Sequence, residues 1–136
     1  MPDQRLIGRE EFLERVLERF PELRSEIEDG VWCGLLHPEM GVFSRYTQRA
    51  INHADWDRVE ACFHLADELL TRASPQLENA LYVSFVENLD FAATNGAQAF
   101  ARLPPGLRRV WQELDEHLAR LAAHASRGSR VDEGKR

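Results

Sequence analysis

Apolar residues recur at three- and four-residue spacing along most of this chain, and prolines or glycines separate the runs. Trp56, Val59, Phe63, Ala66 and Leu70 fall on one face at 100° per residue. Leu107, Val110, Trp111, Leu114, Leu118 and Leu121 form a second stripe, about one-third of a turn wide. No two alternating runs flank a tight turn, so strand pairs are not expected. Val83-Ser84-Phe85-Val86 is strand-like in isolation but lies inside a long helical period. A chain patterned this way buries its stripes by packing helix on helix.

The punctuation divides the chain into six or seven helices. The first spans about residues 8–19, with Ile7 and Phe12 at staple positions and an apolar face of Phe12, Val16 and Leu17. Pro21 opens a short second helix carrying Leu23 and Ile27, which closes at Asp29-Gly30. The stretch VWCGLLHP is equally compatible with a helical turn and a connector. From Pro38 to about His53 the inward residues are Met40, Phe43, Ala50 and Ile51, and His53 complements the negative helix end. Asp55 caps a helix from Trp56 to about Ala73, and Ser74-Pro75 caps and opens the next, expected to reach Phe91. Asn95-Gly96 marks a turn before a short helix over 97–102, and Pro104-Pro105 opens the last helix. The architecture expected is all-α, with six to seven antiparallel helices in a compact bundle or a short HEAT-like solenoid.

Charge and cysteine content narrow the function. The chain has 136 residues and a net charge of −6. Residues 126–136 carry four cations against two anions and one apolar residue, so they read as a flexible basic tail on a single domain of residues 1–125. The body then carries about −8, which disfavours nucleic acid and suits a basic protein partner. No apolar run is long enough to span a membrane, and the charged N-terminus lacks a signal-peptide core, so a cytoplasmic protein is expected. Cys33 and Cys62 lie among apolar residues, where a thiol is inert.

One ridge stands out as a partner-binding candidate. Asp57, Glu60, His64 and Asp67 follow at i, i+3, i+7 and i+10, with Glu68 on the flank. Like charges at this spacing cost a few tenths of a kcal/mol per pair, a cost that meeting a cationic surface would offset. The plain alternative is a solvated face of an acidic protein. Glu87 and Asp90 form a second acidic patch. Glu60, His64 and Asp67 could all reach one ion, but paired Glu-x-x-His, His-Glu-x-x-His, Gly-x-Ser-x-Gly and phosphate-loop motifs are absent, so neither a metal, a cofactor nor catalysis is expected. His37-Pro38-Glu39 has no diagnostic spacing. Glu78, inside an apolar arc and in a first helical turn, reads as a structural carboxylate bonded to a neighbouring helix. Trp32, Trp56 and Trp111 read as core, although a tryptophan exposed beside the ridge would make a natural anchor.

The segments LLHPEMGVFSRYTQRAI at 35–51, FHLADELL at 63–70, ENALYVSFVENLDF at 78–91 and LPPGLRRVW at 103–111 resemble a family of small, all-helical bacterial proteins akin to polymorphic-toxin immunity proteins. The resemblance covers about residues 10–120. It implies a cytoplasmic, non-enzymatic protein that binds a cognate toxin and occludes a basic active-site cleft, and it carries no catalytic motif. On this reading Asp57, Glu60, His64, Asp67, Glu87 and Asp90 meet the toxin. The competing expectation is a helical scaffold or adaptor whose groove takes a peptide or protein partner.

Overall fold

The computed structural model describes residues 6–28 and 34–134. They form α1 (Arg9–Arg19), a 3-10 turn (Pro21–Leu23) running into α2 (Arg24–Glu28), α3 (Leu36–Asn52), α4 (Trp56–Thr71) and α5 (Pro75–Ala80). A π-helical segment (Leu81–Val86) continues α5, followed by α6 (Gly96–Ala101) and α7 (Pro105–Gly134). The only β-type pairing among the described residues is a single parallel bridge between Ile7 and Ala73. Ile7 N–H donates to the Arg72 carbonyl at 2.7 Å, and Ser74 N–H donates to the Ile7 carbonyl at 2.8 Å. This tie ends α4 at Thr71, two residues before the expected limit.

α3 lies at the centre. It packs against α2, α4, α5, the π segment and α6, which is the geometry of a bundle built around one helix. A solenoid would confine each helix pair to its sequence neighbours. The centre is aromatic: Phe43 stacks on Phe85 with ring centroids 4.8 Å apart, and Phe12 and Phe20 approach Phe43 at 6.4 and 6.1 Å. Phe91, Phe100 and Trp111 form a separate edge-to-face trio that joins the segment after the π turn to α6 and α7. Ile7 and Phe12 are both buried, as the staple requires.

Several boundaries depart from the sequence reading. α3 begins at Leu36, so Pro38 occupies its third position, where the missing N–H breaks no helical bond. The expected continuous helix from Pro75 to Phe91 stops being α-helical at Leu81 and ends at Val86. Glu87 N–H donates to the Tyr82 carbonyl five residues back, at 3.0 Å, which is the wide turn of a π helix. A 100° wheel loses phase there. Glu78, placed on the apolar arc by that wheel, is exposed. The backbone of α7 runs through Gly134, so residues 126–134, expected to form a tail, continue the helix. The expected stop at Asp29-Gly30, together with Trp32 and Cys33, lies outside the described residues.

The interior also holds an ion pair that no local motif announces. Glu39 is 2% exposed and receives two hydrogen bonds from Arg9, from Nε at 2.7 Å and Nη2 at 2.8 Å, and one from Gly34 N–H at 2.9 Å. A buried carboxylate is tolerable only with such partners. The pair fastens α1 to α3.

Candidate functional site

α4 presents its polar face to solvent because its opposite face is spent on the core. Val59, Cys62, Phe63, Leu65, Ala66 and Leu69 are buried, while Asp57, Glu60 and His64 are exposed along one row. The helix starts where the sequence places it. The Asp55 carboxylate accepts the Arg58 N–H at 3.4 Å, a cap of the expected kind.

A side chain just past the end of α6 reaches the middle of this row. Arg102 lies over the Trp56 ring, its guanidinium carbon 4.1 Å from the ring centroid. Its Nε is buried and sits 3.3 Å from the Glu60 carboxylate, out of line for a hydrogen bond. Nη1 donates to the Gln98 carbonyl at 3.0 Å. Trp56 is half-buried, as is Arg102. Trp56 is thus neither fully core nor fully free, and its ring and Arg102 together form a platform beside Glu60. A guanidinium stacked on an indole is attracted by the ring quadrupole. The sequence reading did not single out Arg102, which lies 42 positions beyond Glu60 and belongs to no motif.

The other predicted site residues separate from this row. Asp67 is half-buried and turned toward α7: a β-carbon at Gly106 would come within 2.5 Å of its Oδ1. Its carboxylate therefore faces the first turn of α7, where a negative group is favoured by the unpaired N–H groups and the dipole. Glu68 is paired with cations of α1, with Arg19 at 3.2 Å and Arg15 at 3.7 Å. Glu87 is exposed beyond the π segment. Asp90 accepts the N–H groups of Ala92 and Ala93 at 2.9 and 3.2 Å, and its own N–H donates to Gln48 of α3 at 2.8 Å. Asp90 shapes a turn, and no hydrogen bond or ion pair joins it or Glu87 to the α4 row. The chain's own cations neutralise part of what reads in sequence as an acidic surface.

Metal and nucleophile chemistry find little in these positions. Among the described residues no three His, Cys, Asp or Glu side chains converge on one point. With Asp67 turned to α7, the trio of Glu60, His64 and Asp67 does not assemble. His37 and Glu39 diverge: Glu39 binds Arg9, while His37 Nδ1 lies 2.7 Å from Ser84 Oγ. Burial pushes the Cys62 thiol up to about 12, so the thiolate is scarce near neutrality. At the α3–α4 corner the Tyr46 hydroxyl donates to the Glu22 carboxylate. Burial, then this bond, raises the Tyr46 phenol well above its ordinary value, and the same bond holds Glu22 below the usual carboxylate range. No helix among the described residues is long and apolar enough to cross a membrane.

A family described as a domain of unknown function, DUF7674, matches residues 13–119, and the chain belongs to it. No curated protein and no solved structure matches the chain.

Proposed function

We propose that this DUF7674 protein is a non-catalytic immunity protein that binds a cognate bacterial toxin through the exposed row of α4 and covers the toxin's active site. The observation that carries this reading is the platform of Trp56, Arg102 and Glu60 on the helix that also exposes Asp57 and His64. Binding energy concentrates in a few anchors, enriched in Trp and Arg, while surrounding charges steer the encounter. Here the anchor is already ordered by its own stacking and ion pair, so less side-chain entropy is lost on docking. Asp57 and Glu60 give the rim the sign that a basic cleft attracts, and the resemblance of residues 10–120 to toxin-immunity proteins supplies the class of partner.

The test is capture by the tagged full chain in its host, followed by expression of the captured protein alone. A single stoichiometric partner that is toxic by itself is expected. Its retention should fall about tenfold or more when Asp57→Lys and Glu60→Lys are combined in a protein whose circular dichroism is unchanged. Undiminished retention by that folded variant removes the α4 row from the reading.

The adaptor alternative draws on a groove of about 470 Å³ lined by Leu13, Glu14, Leu17, Glu18, Arg24 and Glu28, with half-buried leucines beneath acidic rims. It suits a basic amphipathic helix. A captured partner that is non-toxic, and whose binding is lost on Glu14→Lys and Glu18→Lys instead, favours this reading.

A further inference from the structure

α7 is longer than its packing on the bundle requires. Leu107 and Val110 are buried and Trp111 and Leu114 half-buried, which accounts for its first turns. From Asp115 to Ala123 every described residue is exposed, Leu121 at 52%. The backbone nevertheless stays helical to Gly134, about 30 Å beyond Leu114. A helix in a protein draws most of its stability from packing an apolar face, and the described residues of this stretch find no such packing on their own bundle. The charge here has one sign. Between His117 and Val131 the sequence carries Arg120, Arg127 and Arg130 and no acidic residue.

A surface of the opposite character lies on α1. Leu13 and Leu17, four residues apart and half-buried, floor the groove of about 470 Å³ that α1 shares with α2. Glu14 and Glu18 follow them by one residue each and are exposed along the groove. The cations of α1 are spent elsewhere: Arg9 on Glu39, Arg15 on Glu11 and Glu68, and Arg19 on Glu68. On the α2 side Arg24 holds Glu28 at 2.8 Å. Among the described residues this leaves Glu14 and Glu18 as net negative charge beside an apolar floor.

We propose that the outer part of α7 from a second copy of this chain docks in the α1–α2 groove, with Leu121 on the leucine floor and the basic stretch of α7 against Glu14 and Glu18. A helix laid in a groove is held by a few apolar anchors, and complementary charge selects the partner and its register. One chain carries both halves of the contact, so a second copy supplies what each half lacks. The two surfaces differ, which makes the contact heterologous. It closes into a pair where each copy seats its α7 on the other, and otherwise continues from copy to copy. The inference does not rest on the α4 row, and it gives the groove an occupant other than an adaptor's client.

The experiment is sedimentation equilibrium on the purified full chain, alone and as two variants. The parent's mass is expected to rise with concentration above the 15.7 kDa of one copy. Glu14→Lys with Glu18→Lys disables the groove, and Arg120→Glu with Leu121→Glu disables α7. All four positions are exposed, and an unchanged circular dichroism spectrum checks that both variants fold. Each variant alone should associate about tenfold more weakly or worse. An equimolar mixture of the two should regain a complex of one copy each, because one variant brings an intact groove and the other an intact α7. The proposal is overturned if the parent stays at the mass of one copy throughout, or if either variant associates as the parent does. It is equally overturned if the mixture associates no better than the variants alone.

Discussion

The Tyr46–Glu22 contact shows how one hydroxyl sets the titration of a surface carboxylate. The Tyr46 bond is the largest cause holding Glu22 low, ahead of its own backbone contact. A carboxyl depressed in the folded state contributes stability above its unfolded value and loses it as pH falls through the folded one. Tyr46→Phe should therefore return Glu22 toward ordinary carboxylate titration and lower stability above the ordinary carboxylate range, leaving less to be lost as pH falls. Carbon-13 NMR of the Glu22 carboxyl across pH 2–6 checks this, and an unchanged midpoint would contradict it. The Arg9–Glu39 pair answers to a harsher rule. Arg9→Met leaves a buried carboxylate without its two guanidinium bonds, and losing one partner of a buried pair costs about 3–5 kcal/mol. Urea denaturation measures that loss, and a change below about 1 kcal/mol would class the pair with exposed salt bridges.

At the scale of elements, two glycines look alike in sequence and differ in what surrounds them. Gly96 opens α6 so close to the preceding turn that a β-carbon would come 2.0 Å from the Phe91 carbonyl oxygen. Backbone cannot yield as a side chain does, so Gly96→Ala should cost about 3 kcal/mol or more, the upper end for overpacking. At Gly106 the obstructing atom is the end of the Asp67 side chain, 2.5 Å away. Rotation of that carboxylate makes room, and alanine brings up to about 1 kcal/mol of helix propensity. Gly106→Ala should then lie within about 1 kcal/mol of the parent protein. Paired thermal melts separate the two cases, and equal effects would mean that Asp67 is held in place more firmly than its half-buried position indicates.

For the whole molecule, its two tyrosines govern behaviour in alkali. Burial, followed by the Glu113 carboxylate 2.8 Å away, pushes Tyr82 up from 10.0 to about 12, and Tyr46 is raised further. The unfolded chain loses phenolic protons first, so the contribution of these residues is full below about pH 10 and vanishes as pH rises through the folded values. Ultraviolet titration should show almost no phenolate at pH 10 in the folded protein, with stability declining above that. Half-ionisation at pH 10 without unfolding would refute it. What could be read in the sequence follows the same division of scale. Asp55 and Ser74 caps, Pro75 and Pro105 starts, and the buried stripe of α4 were legible because each depends on residues a few positions apart. On the exposed row of α4, Asp57, Glu60 and His64 could be aligned by counting. Arg102, the turning of Asp67 to α7 and the Arg9–Glu39 pair could not, since each joins positions 30 or more apart that only the packed bundle brings together. The π segment escaped because a helical wheel assumes one pitch throughout. That segment has a consequence for spacing along the chain. Its wide turn accommodates one residue more than an α-helical turn would, so the chain after Val86 leaves at nearly the phase of an α-helix one residue shorter. Removing one residue between 81 and 86 would let the turn close as an ordinary α-helix with little change of phase downstream, whereas removing one from Pro75–Ala80, α-helical before and after, would rotate the chain beyond it by about 100° and shift it about 1.5 Å. Positions 81–86 are thus where the helix can give up a residue with least disturbance to the packing of α6 and α7.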